Sequence, residues 1–280
     1  MEKYTLKSIR SVTCGRVNDT RNVQLVSSQS SGQSRSCNTQ EFIPVVDSHN
    51  NPLIPCKVSV SKRLISKNLA MPFFKKGFFC IKLRKKVEKI NKLKTVFAID
   101  PGSKRNGYTV ANEKGVILNI QSNTNNWTKK NIENRKNHRR NRRYRKTPYR
   151  KCRPNRNSKN NVPPSTKARW DCHIRLLDVI SQIIPIDLVV IEDIKAVTKK
   201  NCRKWNKNFS PLEVGKKYFE QEIHNRNLEF ESFEGWKTYW QRCNRNFTKN
   251  SNKLKEDWNT HCVDSHCLVE LILGDMEPNK

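Results

Sequence analysis

Three apolar segments of this chain end in side chains that could hold a divalent cation or move a proton. They are Thr95-Val-Phe-Ala-Ile-Asp100, which runs into Pro101-Gly102-Ser-Lys, Ile186-Asp-Leu-Val-Val-Ile-Glu192, and Trp258-Asn-Thr-His261-Cys-Val-Asp264-Ser. A carboxylate at the exit of a buried strand has no partner in the core and needs a cation or a hydrogen-bonding network. Asp100 alone reads most simply as a turn-forming aspartate. Glu192, at the end of a second and wholly apolar run, changes that, because two adjacent strand ends can converge on one Mg²⁺. His261 and Asp264 are three positions apart and share a face if their segment is helical. His266 lies off that face. The expected arrangement has Asp100, Glu192 and Asp264 as ligands of two Mg²⁺ or Mn²⁺ ions, Asp100 bridging both. His261 would orient or deprotonate the attacking water, making four catalytic positions in all.

The rest of the chain points to a polyanion. Fifty-six Lys and Arg residues against 25 acids give a net charge of +31 over 280 residues, with 10 cysteines. An enzyme of small metabolites has no need of such a charge, whereas neutralised phosphates release counterions and drive binding. An anionic membrane surface is the weaker reading, since the charge is interleaved with Asn, His and Tyr rather than set opposite an apolar face. No apolar run is long enough to span a bilayer, and the first residues lack the apolar core of a secretory signal. The cysteines are scattered with no Cys-x2-Cys pair, which favours reduced thiols over zinc or disulfides. An intracellular setting follows, cytoplasm or nucleoid, with an organellar stroma as the alternative.

The charge peaks between Lys129 and Arg153, where Glu133 is the sole acid. Such a run repels itself unless a polyanion is present. Arg135, Arg139, Arg140, Arg142, Arg143, Arg145, Lys146, Arg150 and Arg153 are its candidate phosphate contacts, and Tyr144 and Tyr149 could stack on bases.

Positioning elements follow from periodicity. Ile43–Val46 reads as a strand, 47–51 as a turn, Pro52–Pro55 as a rigid extended piece, 59–69 as a short helix and 73–83 as a strand. Thr95–Ile99, Gly107–Val110 and Val116–Ile120 make a three-stranded antiparallel meander. A helix capped by Ser165 runs to Pro185, followed by a central buried strand at Leu188–Ile191 and helices at 212–223 and 257–273.

Together these motifs resemble a known family. Arg139-Arg-Asn-Arg-Arg143 is an RRXRR box, and Pro52-Leu-Ile-Pro55 is similar to the PLMP motif of the IscB and IsrB proteins. Asp100-Pro-Gly-Ser-Lys, Ile191-Glu192 and His261-Cys-Val-Asp264-Ser resemble their three split RuvC motifs, and the similarity runs from about Phe42 to Leu273. The resemblance implies an α/β chain: an RNase H-like RuvC nuclease core split by an arginine-rich bridge helix and preceded by a small α+β PLMP-type domain. The expected divisions are a disordered Ser-rich extension (1–40), the PLMP-like domain (41–92), RuvC segment I (93–123), the bridge helix (124–160), segment II (161–198), a helix and connecting region (199–256) and segment III (257–280).

The resemblance also implies a transposon-associated, RNA-guided DNA endonuclease, with a non-coding guide RNA and target DNA as partners and a monomeric protein in the ribonucleoprotein. No His-Asn-His signature lies between Asp193 and Asn259, so the resemblance is nearest to the HNH-less IsrB form, which would nick the non-target strand. The sequence stops at Lys280, so the module that reads the target-adjacent motif in IsrB is not expected within it. Two alternatives stay open: a catalytically reduced or domesticated RNA-binding relative, and a guide-free, structure-selective RuvC-like nuclease.

Overall fold

A computed structural model describes residues 23–26, 42–87, 93–102, 104–124, 127–148, 162–193, 210–245 and 259–274. Two mixed sheets organise them.

The smaller sheet holds β2 (Phe42–Val46), β3 (Pro52–Lys57), β4 (Ala70–Lys75) and β5 (Phe78–Leu83) in the order β3-β2-β5-β4, with helix α1 (Val58–Ser66) against it. The single strand expected over 73–83 is instead a hairpin. Lys76 and Gly77 both take positive φ, 49° and 92°, the two-residue turn that matches strand twist. Phe42, Phe78 and Cys80 join the core of the larger sheet, so the two sheets share one hydrophobic interior.

The larger sheet carries the catalytic candidates. It contains β1 (Val23–Val26), β6 (Thr95–Asp100), β7 (Arg105–Asn112), β8 (Gly115–Asn123), β9 (Leu188–Asp193) and β10 (Glu229–Glu234), in the order β1-β8-β7-β6-β9-β10. Strands β6, β7 and β8 form the expected antiparallel meander, while β9 pairs parallel to β6 and β10 parallel to β9. A five-strand order of 3-2-1-4-5 with only the second strand reversed is the RNase H-like fold. Strand β1 lies within the segment expected to be disordered, yet its backbone pairs antiparallel with β8, whose edge would otherwise be open.

Alternation in β6 and β9 sorts their side chains between two faces. Phe97, Ile99, Val189 and Ile191 face a core built with Trp170, Ile174, Leu177 and Ile180 of α3 (Pro164–Ser181) and Phe219 and Ile223 of α4 (Ser210–His224). Val96, Ala98, Leu188 and Val190 face Leu268 and Val269 of α6 (Asn259–Leu273). Ser165 does not cap α3. Pro163 occupies the cap and Pro164 begins the helix, where a missing N–H is harmless.

Candidate functional site

The same alternation places the carboxylates. Asp100 continues the Val96–Ala98 face of β6, and Glu192 continues the Leu188–Val190 face of β9. The parallel register pairs Ala98 with Val190 and Ile99 with Ile191, so Asp100 and Glu192 follow side by side. On α6, His261 and Asp264 lie on the same face as Leu268, two turns and one turn before it respectively. Small residues on β7 let that helix lie close: Gly107 against the His261 backbone, Thr109 hydroxyl-bonded to Ser265 at 2.8 Å, and Ala111 in the core below.

All four candidates from the sequence therefore meet. Asp100 is 2 % exposed and Asp264 4 %. His261 Nδ1 lies 2.6 Å from Asp100 Oδ2. A hydrogen on Nδ1 would be donated to Asp100 Oδ2 and would leave Nε2 as the ring's acceptor nitrogen. Glu192 is hydrogen-bonded to Asp100, with the charge of Asp264 also acting on it.

A further helix completes the site, within the segment 199–256 expected as a helix and connecting region. After β10, α5 (Gly235–Asn244) turns back over the carboxylates. The Thr238 hydroxyl donates to Glu192 Oε1 at 2.9 Å, and Arg242 Nη1 donates to Asp264 Oδ1 at 2.6 Å. Gln241 and Arg245 both donate to the buried Glu270 of α6, as His266 also can. The available signal was the helical spacing of Thr238, Gln241, Arg242 and Arg245.

Burial and the neighbouring Asp100 push Glu192 up to about 8, so near neutral pH it holds a proton. Its folded value lies above that of the unfolded chain, so the native state loses stability as pH rises from the ordinary carboxyl range toward 8. Buried His173, beside Tyr108, is held down to about 4 and works in the opposite sense up to about pH 6.5. In EDTA, the melting temperature should therefore fall between about pH 6.5 and 8. Glu192→Gln should remove that fall, as read by thermal melts across the range.

Crowded carboxyls that share a proton are a donor set suited to a hard divalent cation. The oxygens are not yet arranged as a cage. Among the described residues no three His, Cys, Asp or Glu side chains form a ready-made ligand group. His261, Thr238 and Arg242 occupy oxygens that a cation would share. Arg242→Ala leaves Asp264 (6 % exposed side chain) without that guanidinium. The metal-free protein should lose about 3 kcal/mol in urea denaturation, with part of the loss recovered in Mg²⁺.

The arginine track forms α2 (Trp127–Tyr144), and every residue from Lys130 to Pro148 is exposed. Arg135, Arg139, Arg140, Arg142 and Arg143 lie on the helix, and Arg145 and Lys146 lie in the turn after it. Arg150, Arg153 and Tyr149 fall outside the described residues.

The family model for RRXRR proteins matches residues 43–206. The chain belongs to the RRXRR family. That match takes in β6, the arginine helix and β9 of this RRXRR protein, and hence Asp100 and Glu192. Among solved structures, Thermus thermophilus RuvC is 10 % identical, with 62 % of this chain and 90 % of that one covered and a TM-score of 0.34. T. thermophilus RuvC in complex with a Holliday junction substrate is 11 % identical over 62 % and 89 %, also at 0.34. A CRISPR-Cas12f ternary complex is 14 % identical, with 76 % of this chain and 49 % of that chain covered and a TM-score of 0.36. No functionally curated protein matches the sequence. No helix among the described residues is long and apolar enough to cross a membrane.

Proposed function

We propose that this RRXRR protein is a divalent-metal-dependent DNA endonuclease, guided by RNA, that nicks the strand not paired to the guide. The convergence of Asp100, Glu192 and Asp264 on one face of an RNase H-like sheet, with His261 bonded to Asp100, carries this reading. The exposed arginines of α2 support it as the nucleic-acid grip.

Asp100, Glu192 and Asp264 would hold Mg²⁺ or Mn²⁺, two ions in the full scheme. The bound cations would supply charge neutralisation at the scissile phosphate and a more acidic water. His261 Nε2 accepts the proton of the attacking water, and Asp100 stabilises the imidazolium through Nδ1. Thr238 orients Glu192, and Arg242 holds Asp264 in place until substrate enters. Arg135, Arg139, Arg140, Arg142, Arg143, Arg145 and Lys146 grip guide or heteroduplex backbone, with base pairing reading the target.

The test is to purify the protein with its bound RNA, sequence that RNA, and offer a supercoiled plasmid carrying the matched site in Mg²⁺ or Mn²⁺. A discrete non-coding RNA and open circles that depend on it are expected. Cleavage that survives exhaustive RNase treatment on branched DNA would instead assign a guide-free, structure-selective nuclease. Bound RNA without nicking, and no heat on titrating Mn²⁺, would leave a non-catalytic RNA-binding protein.

A further inference from the structure

Helix α5 carries its polar contacts on the inside and its aromatics on the outside, the reverse of an ordinary surface helix. Thr238, Gln241, Arg242 and Arg245 recur at helical spacing and reach Glu192, Asp264 and Glu270 beneath. Trp236, Tyr239 and Trp240 share the opposite face and are 55 %, 51 % and 57 % exposed. Three half-bare aromatic rings on ten residues mark a binding surface more than a packing remnant.

The rings are braced and interleaved with cations. Trp236 Nε1 donates to Glu234 Oε2 at 2.6 Å, and the Lys237 ammonium sits 5.8 Å from the Trp236 ring centre. Tyr239 and Trp240 meet edge to face at 5.9 Å, and the Arg242 guanidinium lies 5.3 Å from the Tyr239 ring. The platform is coupled directly to the carboxylates. Arg242 touches both Tyr239 and Asp264, and Thr238, the neighbour of Tyr239, bonds Glu192.

We infer that Trp236, Tyr239 and Trp240 form a stacking platform for the unpaired bases of the single DNA strand delivered to the Asp100–Glu192–Asp264 site. The inference rests on the nuclease reading for its location, since α5 packs on the candidate site through Thr238 on Glu192 and Arg242 on Asp264. Flat π-faces accept any unpaired base, while a duplex hides those faces, and the exposed Lys237 beside the Trp236 ring can meet a backbone phosphate. A second copy is a poor occupant, because it would bring together two chains that each carry a charge of +31.

The test measures fluorescence anisotropy of labelled 12-nucleotide single-stranded DNA, the same sequence in RNA, and a matched DNA hairpin duplex. The full chain is used in EDTA, so binding is read without cleavage. Trp236→Ala/Tyr239→Ala/Trp240→Ala should weaken single-stranded DNA binding up to about a thousandfold, at roughly tenfold per stacking ring, and duplex binding less than about twofold. Trp236→Phe/Tyr239→Phe/Trp240→Phe should restore most of the loss. Should the triple alanine variant fail to fold, Trp240→Ala alone should still cost about tenfold on single strands.

Unchanged single-strand affinity in these variants overturns the platform. So does a loss confined to RNA, or a wild-type dimer that the substitutions turn into a monomer. A wild type that shows the stacking signature yet never cuts DNA removes the nuclease reading and leaves the platform standing. Cleavage of single strands at the same rate by the wild type and the triple alanine variant overturns the platform and leaves the nuclease reading standing.

Discussion

Asp100→Asn is expected to abolish DNA nicking, lowering the single-turnover rate by about a thousandfold or more at saturating Mg²⁺. The substitution keeps the side chain's shape and its ability to accept from His261, so geometry survives and charge does not. Asp100 contacts both His261 and Glu192. Removing its charge weakens cation binding and the support for an imidazolium at His261 together. The heat of Mn²⁺ binding should fall with the rate, while affinity for bound RNA stays, because the α2 arginines are untouched. Loss of fold can be separated from loss of function. Asp100 raises Glu192 by its charge, so the Asn variant should melt at a higher temperature than the parent in EDTA at pH 8. A variant that nicks at the parental rate would remove Asp100 from the chemistry.

The second large effect is expected at a residue that holds no metal and touches no substrate. A Cβ on Gly107 would lie 2.1 Å from the carbonyl oxygen of His261, 2.2 Å from its carbonyl carbon and 2.7 Å from the Cys262 nitrogen. All three are backbone atoms of α6, so no side chain can rotate out of the way. Gly107→Ala must push the start of α6 off β7, carrying His261 and Asp264 with it. Overpacking of this kind costs about 1–3 kcal/mol, and a helix backbone as the obstacle favours the upper end. Misplacing reacting groups by about 1 Å costs on the order of a hundredfold in rate. Urea denaturation and single-turnover nicking should therefore both respond, with Mn²⁺ binding weakened in parallel. A parental rate in Gly107→Ala would show that close seating of α6 is not needed.

Much of the site was readable from the chain because its determinants are local. Asp100 and Glu192 each end an apolar run, and His261 and Asp264 are spaced for one helical face, so periodicity places the four candidates at strand ends and on one helix face. The arginine helix is legible for the same reason, as composition concentrated in one segment. Elsewhere local signals misled. The 73–83 run was broken by a tight turn at Lys76–Gly77, and Ser165 was displaced from the helix cap by Pro163 and Pro164. Strand β10, Glu229-Phe-Glu-Ser-Phe-Glu234, shows no buried position, since it is a sheet edge, so nothing in its pattern announced a strand parallel to β9.

What the sequence by itself determined is which residues sit at strand ends and on one helix face, because side-chain period depends only on backbone geometry. Tertiary structure alone decided that those ends lie side by side, that α5 folds back to put Thr238 on Glu192 and Arg242 on Asp264, and that Glu192 keeps a proton near neutral pH. These depend on burial and on charges brought together from positions far apart in the chain, and neither quantity exists until the sheet has formed.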